Sequence, residues 1–314
     1  MFKQYFKYYK SRNPAPDLRS VIDLEKAGCE KSVRKVPLPA ESPFPSIWGL
    51  KPSTDWQVWE IVDKPGLIII RNPFTSIGQR FWVVQCLRDY SKKPNKSNID
   101  GLIDLDGWWE KAQCNKETAE KLRWITLGFH HNWDTKIYSD MEKDEFPCDL
   151  KGMIEHVSKV FGYDTFQAEA AIINYYHMNS TLSGHTDHSE INLEAPLFSV
   201  SLGQSAIFLL GGHTIDEKPV AVLLRSGDIV IMSKESRLSY HAVPRILKAD
   251  SEPWNSNTET IASPARDIQW DLFEEYLKSS RININVRQVL QPQQSCLSDV
   301  IYFTYFVIPN WIVM

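Results

Sequence analysis

Two spacings of apolar residues alternate along this chain and divide it into regions. Neither persists before about residue 56. A basic, aromatic start, MFKQYFKYYKSRNPAP, has the look of an amphipathic helix, and the proline-rich, charged stretch through KVPLPAESPFPS reads as an extended arm. From Pro65 the pattern tightens. GLIIIRNPF is a β-branched run closed by Asn72-Pro73, which predicts a strand ending in a turn, and IGQRFWVVQCLRDYSKK has the three-and-four spacing of a helix with one buried face. Residues 118–123 predict a short helix leading into the strand RWITLGFHHNW, and residues 148–161 a further helix.

Beyond residue 165 the texture changes. AEAAIINYYHM, PLFSVSLG, QSAIFLLGG, PVAVLLRSG, GDIVIMS and HAVPRIL are short β-branched and aromatic runs, punctuated by Gly, Ser and Asp. Gly203, Gly211, Gly212 and Gly227 fall where hairpin turns are expected. One helical stretch, ARDIQWDLFEEYLKSS, precedes a last strand, RININVRQVL. The pattern predicts an α+β fold: an eight-stranded jelly roll, or double-stranded β-helix, with flanking helices and an N-terminal arm. The boundaries read from it are an arm at 1–56, a helix-and-strand extension at 57–164, the jelly-roll core at 165–290 and a tail at 291–314. The tail ends in VIYFTYFVIPNWIVM, which is nearly all apolar. It is shorter than the ~20 residues of a membrane span and broken by Pro309 and Asn310, so a buried strand is expected and stable membrane insertion is not.

Composition adds limits. Of 314 residues, 43% are hydrophobic and 24% charged, the balance of a soluble globular protein. A net charge of −4 argues against a protein held on nucleic acid by bulk charge alone. The small cluster of Lys92, Lys93 and Lys96 reads as a solvated loop, with a phosphate contact the second reading. The five cysteines, Cys29, Cys86, Cys114, Cys148 and Cys296, are odd in number and contain no C-x-x-C, which points away from a disulfide framework and towards a reducing compartment. An intracellular monomer is expected, in the mitochondrion, the nucleus or the cytoplasm. The first helix is expected to dock on the domain in preference to serving as a targeting segment.

The chemistry begins at His185-Thr186-Asp187. Residues i and i+2 of a strand point to the same side, so this pair can offer a nitrogen and a carboxylate to one metal; a surface pair would be spelled the same way. His241, in SRLSYHAVPRI, completes two His and one carboxylate, the facial triad of non-haem iron oxygenases. In the last strand, alternation puts Arg281, Asn283, Asn285 and Arg287 on one face. That face is either a polar exterior or the lining of a ligand site, where an Arg fork would clamp a carboxylate. Asn174 and Tyr176 share a face just upstream, either as ligand contacts or as polar tips satisfied in the core.

Taken in order, NYY, eight residues, H-T-D, then H-A-V-P-R, then R-I-N-I-N-V-R resemble the AlkB family of iron(II)- and 2-oxoglutarate-dependent dioxygenases. The runs AEAAIINYYHMNSTLSGHTD, SLGQSAIFLLGG, SGDIVIMS and RQVL are closer still to the first animal branch of that family, and the likeness covers about residues 57 to 290. It implies that His185, Asp187 and His241 form the catalytic iron(II) centre and that Asn174, Tyr176 and Arg281 hold 2-oxoglutarate. Asn283 and Arg287 would shape that site, with Arg287 reaching towards the substrate. Trp109, Phe129, His130, His131 and Asn132 match the region that forms the nucleobase pocket, which would make 57–164 a nucleotide-recognition extension. Two departures are an Asn at position 285 and a short loop before ETAEKLRW that lacks a basic insertion. The implied activity uses dioxygen to demethylate N-methylated bases in tRNA, such as 1-methyladenine, or in unpaired DNA, such as 6-methyladenine, releasing formaldehyde and succinate. The competing readings are an oxygenase acting on protein or small molecules and a non-catalytic binding module.

Overall fold

The computed structural model describes every residue except 27, 28, 30, 39–47, 103–106, 256–268 and 300–314. Helix α1 (Phe2–Lys10) is followed by strands β1 (Val33–Lys35), β2 (Gln57–Ile61) and β3 (Leu67–Arg71). Helix α2 (Ser76–Val84), capped by the Thr75 hydroxyl, runs into a π-helical turn over Gln85–Asp89. Then come β4 (Lys96–Ser97), α3 (Trp108–Ala112), α4 (Lys116–Lys121), β5 (Trp124–Gly128) and α5 (Cys148–Val160). The rest is β6 (Ala170–His177), β7 (Leu182–His185), β8 (Leu197–Gly203), β9 (Ser205–Leu210), β10 (Val220–Leu224), β11 (Ile229–Met232), β12 (His241–Leu247), α6 (Trp270–Leu277) and β13 (Ser280–Arg287).

The eight strands after residue 165 divide four and four. β11-β8-β13-β6 form the middle of a nine-stranded sheet, and β10-β9-β12-β7 form a four-stranded sheet. All the pairings are antiparallel, and the chain passes back and forth between the sheets, which is the double-stranded β-helix the sequence predicts. Two of the predicted hairpin turns are something else. Gly203 and Gly227, at φ +82° and +88°, carry the chain from one sheet to the other; only Gly211 and Gly212 lie in the loop joining two paired strands, β9 and β10. A glycine signals a reversal of the backbone and says nothing about which strand lies next to it.

Strands from before residue 165 extend the larger sheet at both edges. β1-β2-β3 add beside β11, with Ile70 opposite Ile229, and β5-β4 add beside β6, with Trp124 opposite Asn174. The extension is therefore continuous with the core through shared backbone hydrogen bonds.

Burial explains the apolar runs. β9 and β11 are buried at every position because both of their faces are covered. Between the sheets lie Ile69, Tyr176, Leu197, Leu210, Val230 and Val243. The outer face of the large sheet packs under the helices through Trp82, Leu87, Trp108, Leu150, Ile154 and Val157. The outer face of the small sheet is covered by α1, which docks there as expected. The arm is tied to β10: Ile22 exchanges backbone hydrogen bonds with Ala221 and Leu223, and Arg225 grips Asp23 with both terminal nitrogens at 2.7 and 3.1 Å. No helix among the described residues is long and apolar enough to cross a membrane. The strand expected over 300–314 lies outside the described residues.

Candidate metal centre and oxo-acid cleft

β7 pairs with β12 so that His185 stands opposite His241, with a bulge following between His241 and Val243. The imidazole centroids are 4.3 Å apart. Asp187 is brought beside them: its carboxylate oxygens lie 3.8 Å from Nε2 of His185 and 3.6 Å from Nε2 of His241. One ligand atom from each of the three residues lies within 4.8 Å of the others. A first-row metal ion binds such atoms at about 2.0–2.2 Å, so one ion closes this triangle with a small side-chain adjustment.

Backbone carbonyls fix which imidazole nitrogens are free. Nδ1 of His185 lies 2.9 Å from the Ser183 carbonyl and Nδ1 of His241 lies 3.1 Å from the Ser239 carbonyl. A carbonyl only accepts, so Nδ1 carries the hydrogen in both rings and the Nε2 lone pairs face Asp187. Burial, with His185 alongside, pushes the His241 pKa down to about 4 against the pull of Asp187, so the ring is neutral at neutral pH and able to offer a metal its free lone pair. Burial works against the charge on Asp187, but the Arg287 guanidinium, with His241, His185 and Arg237, holds its pKa far below the usual carboxylate range. Two imidazoles and one carboxylate, without a thiolate, are the donor set of non-haem iron(II) oxygenases.

A buried charge network stands behind Asp187. Arg287 donates Nη2 to the Asp187 carboxylate at 3.0 Å, and its Nε lies 3.2 Å from Glu190. Arg237 donates to the Asp187 carbonyl at 2.7 Å, to Glu190 at 3.0 Å and to the Ala195 carbonyl at 2.8 Å. The Arg287 guanidinium is thus engaged by the Asp187 carboxylate as well as lining the cleft. Sequence reading missed Glu190 and Arg237. Each lies three or four residues from a ligand, and nothing local distinguishes them from surface charges.

The cleft between the sheets encloses about 570 Å³ and is lined by His185, Asp187, His241, Asn174, Tyr176, Arg281, Asn283, Asn285 and Arg287. Register explains the grouping: across the β6–β13 ladder Arg281 faces Tyr176 and Asn283 faces Asn174. Asn283 donates to the Ser199 hydroxyl and the Val200 carbonyl, and Asn285 donates to Asn283. Arg281 is 1% exposed and donates Nη2 to the Ser201 hydroxyl at 2.9 Å. Its Nε and Nη1, and the Tyr176 hydroxyl, have no partner among the described residues. Burial depresses the Arg281 pKa and raises that of Tyr176 to about 12. An unpaired buried cation costs several kcal/mol, and a carboxylate laid against the open edge of this guanidinium would relieve that cost. The orphaned donors therefore fit the far carboxylate of a dicarboxylic oxo acid whose other end reaches the triad.

The five residues expected at the base pocket are sorted by the structure. His131 lines the cleft; the other four do not. Trp109 is stacked on Phe273 with centroids 4.6 Å apart, inside the core under the large sheet. Phe129 packs with Tyr138, Val289 and Leu290. His130 is buried between the Thr126 hydroxyl at 2.7 Å and Asp144 at 2.8 Å. The Asn132 side chain accepts the backbone N–H groups of Asp134 and Thr135 and so builds a turn. From the same loop the cleft lining also takes Trp133, Lys136 and Tyr138. Trp133 is 40% exposed, and its ring stands against His131, with Lys136 Nζ 5.6 Å from the ring centroid. Aromatic identity alone could not separate these neighbours, because each ring's role depends on which way the loop after β5 turns it.

A family model described as the 2OG-Fe(II) oxygenase superfamily matches residues 66–287. The chain is 40% identical to the nucleic acid dioxygenase ALKBH1 of Mus musculus, over 93% of this chain and 85% of that protein. It is 32% identical to the tRNA demethylase abh1 of Schizosaccharomyces pombe, over 92% of this chain and 95% of that one. It is also 32% identical to the DNA N(6)-methyladenine demethylase ALKBH1A of Arabidopsis thaliana, over 74% and 77% of the two chains.

Proposed function

The chain belongs to the 2OG-Fe(II) oxygenase superfamily, and from that membership we propose that it oxidatively demethylates N-methylated bases in nucleic acid, with tRNA as the favoured substrate. In this reading His185, Asp187 and His241 hold iron(II), and Arg281, Tyr176 and Asn174 hold 2-oxoglutarate. Bound iron and 2-oxoglutarate supply the oxidation: dioxygen hydroxylates the N-methyl carbon while the oxo acid becomes succinate and carbon dioxide, and the hydroxymethyl group leaves as formaldehyde. The protein's own groups do the rest. Arg281 neutralises and orients the oxo acid, Asn283 is pinned beneath it, and the Arg287–Glu190–Arg237 network keeps Asp187 ionised and aimed.

The observation that carries this reading is the buried Arg281 with two unpartnered nitrogens, in the same cleft as the His-Asp-His group. Trp133 at the mouth offers a face on which an unstacked base can lie, and Lys136 a cation for its phosphate. Entry to the cleft requires the base to leave its stack, which costs least in a loop or single strand; this favours tRNA loops and 1-methyladenine over duplex DNA, with 6-methyladenine in unpaired DNA the second substrate. The test is succinate and formaldehyde release with iron(II), ascorbate and oxygen across methylated tRNA, single-stranded DNA and duplex DNA. Turnover should be greatest on tRNA and least on duplex; an absence of turnover on all three overturns the reading.

A further inference from the structure

Helix α1 has no place in the chemistry just described, yet it lies directly behind the metal ligands. Its apolar stripe, Phe2 and Tyr9 with Tyr5 and Phe6, packs on Ile207, Leu209 and Ala242 on the outer face of the small sheet. The Phe2 ring, 1% exposed, covers two glycines at once: a Cβ added to Gly184 or to Gly211 would come within 2.7 Å of a ring carbon. Neither glycine sits at a positive φ, so backbone conformation does not demand glycine there; the closeness of the ring does.

Both glycines adjoin ligands. Gly184 immediately precedes His185. Gly211 follows Leu210, which pairs with His241, and its N–H donates to the carbonyl of Tyr240, the residue before His241, at 2.7 Å. The Tyr240 ring is itself 6.2 Å from that of Phe2. The strand so covered needs support. β7 has four residues, lies at the edge of its sheet and pairs, among the described residues, with β12 alone, and that ladder is broken by the bulge after His241. Short edge strands with interrupted ladders are weakly held. The end of α1 adds two ties: Arg12 donates to the Met178 carbonyl in the turn before β7 at 2.8 Å, and Arg245 of β12 donates to the Ser11 carbonyl at 2.7 Å.

We propose that α1 braces the metal-binding strand pair and that Phe2, seated on Gly184 and Gly211, is a positioning residue that holds His185 and His241 at ligand spacing. The inference rests on the reading of His185, Asp187 and His241 as a metal site. It predicts coupling across the sheet: whatever loosens the ring from the glycines lets the two imidazoles drift apart and weakens the metal without touching a ligand. Outer groups that orient ligands typically change metal affinity 10–100-fold.

The test measures Mn(II) affinity of the metal-free full chain by electron paramagnetic resonance, together with amide hydrogen exchange. Phe2→Ala should weaken Mn(II) about tenfold and speed exchange in residues 182–187, while amides of β8 and β13 exchange as in the wild type. Phe2→Leu, which keeps most of the volume, should retain most of the affinity. Gly184→Ala should weaken Mn(II) in the wild type, but less in the Phe2→Ala background, where the added methyl fills part of the vacated space. Mn(II) affinity of Phe2→Ala and Gly184→Ala equal to wild type overturns the brace, and so does a loss matched by faster exchange throughout β8 and β13. The metal reading fails separately, if the wild type binds Mn(II) no better than His185→Ala.

Discussion

A buried guanidinium with unused donors is the most informative single residue. Arg281 is enclosed by Tyr176 and Ser201, and its Nε and Nη1 have no partner among the described residues. Such a group burdens the empty protein and is relieved when an anion arrives. Arg281→Met should therefore raise the melting temperature of the metal-free protein while raising the KM for 2-oxoglutarate by about 100-fold, an effect of about 3 kcal/mol within the range for truncating a charged contact. Stabilisation by 2-oxoglutarate, read as a thermal shift, should vanish in the variant. An unchanged KM would remove Arg281 from the site. Asp228 makes a second prediction at this scale. It accepts the N–H groups of Asn72 and Arg225, yet burial pushes its pKa up to about 6. Its folded pKa lies above its unfolded value of 3.8. The contribution to stability is therefore complete below that unfolded value and is lost as pH rises through about 6, a loss of about 3 kcal/mol by neutral pH. Asp228→Asn should flatten the fall in stability between pH 4 and pH 7, measured by urea unfolding; the same slope in both proteins would refute the assignment.

At the scale of elements, the N-terminal arm is held by charge as well as by its backbone bridge. Arg225, just past β10, takes Asp23 in a two-pronged pair and also reaches Asp250 at 3.0 Å. Asp23 is 4% exposed, and although burial opposes its charge, Arg225 holds its pKa down at about 2. Its contribution to stability is present above its unfolded value of 3.8 and lost as pH falls through about 2. Arg225→Met leaves that buried carboxylate with only the exposed Lys26 ammonium, 3.3 Å away, and should destabilise the protein by about 1–3 kcal/mol at pH 7. The difference should narrow towards pH 2, where the carboxylate takes up a proton. A variant as stable as the wild type at pH 7 would mean the arm is held by its backbone bridge and packing, without a contribution from the charge pair. The strands themselves were largely legible: period-two alternation in β13 and the β-branched runs from β8 to β12 mark each element. What the runs could not carry was pairing. The turns at Gly203 and Gly227 look like hairpins along the chain and prove to be crossings between sheets, because a turn's residues encode its backbone angles and not its neighbours.

At the scale of the whole molecule, the site exists because two sheets close on each other. The Arg237–Glu190–Arg287–Asp187 network joins the segment before β12, the loop after β7 and the end of β13. Arg237→Met would leave Glu190 buried with one cation in place of two. It should cost about 3–5 kcal/mol of stability and weaken metal binding about 10–100-fold. Global stability by denaturant unfolding and Mn(II) affinity check the two effects, and a loss of stability with normal Mn(II) affinity would limit the network to holding the fold.

The sequence by itself determined the chemistry within each strand. Asn174 and Tyr176 two apart, and Arg281 with Arg287 on one face, follow from the strand period, which is local and independent of context; Asp187 lies two residues past the end of β7, so its place beside His185 is set by the loop and by Arg287 and not by alternation. Only the tertiary structure decided what stands across from them. His241 opposes His185 from 56 residues away along the chain, Arg281 meets Tyr176 through the β6–β13 register, and Glu190 and Arg237 become partners only in the closed interior. The same holds at the cleft mouth, where His131 and Trp133 line the opening while His130 and Trp109 are spent on the core. The physical reason is one of range. Alternation fixes the side of a strand on which a group lies, whereas its neighbours, burial and charge partners are set by the packing of segments distant in sequence.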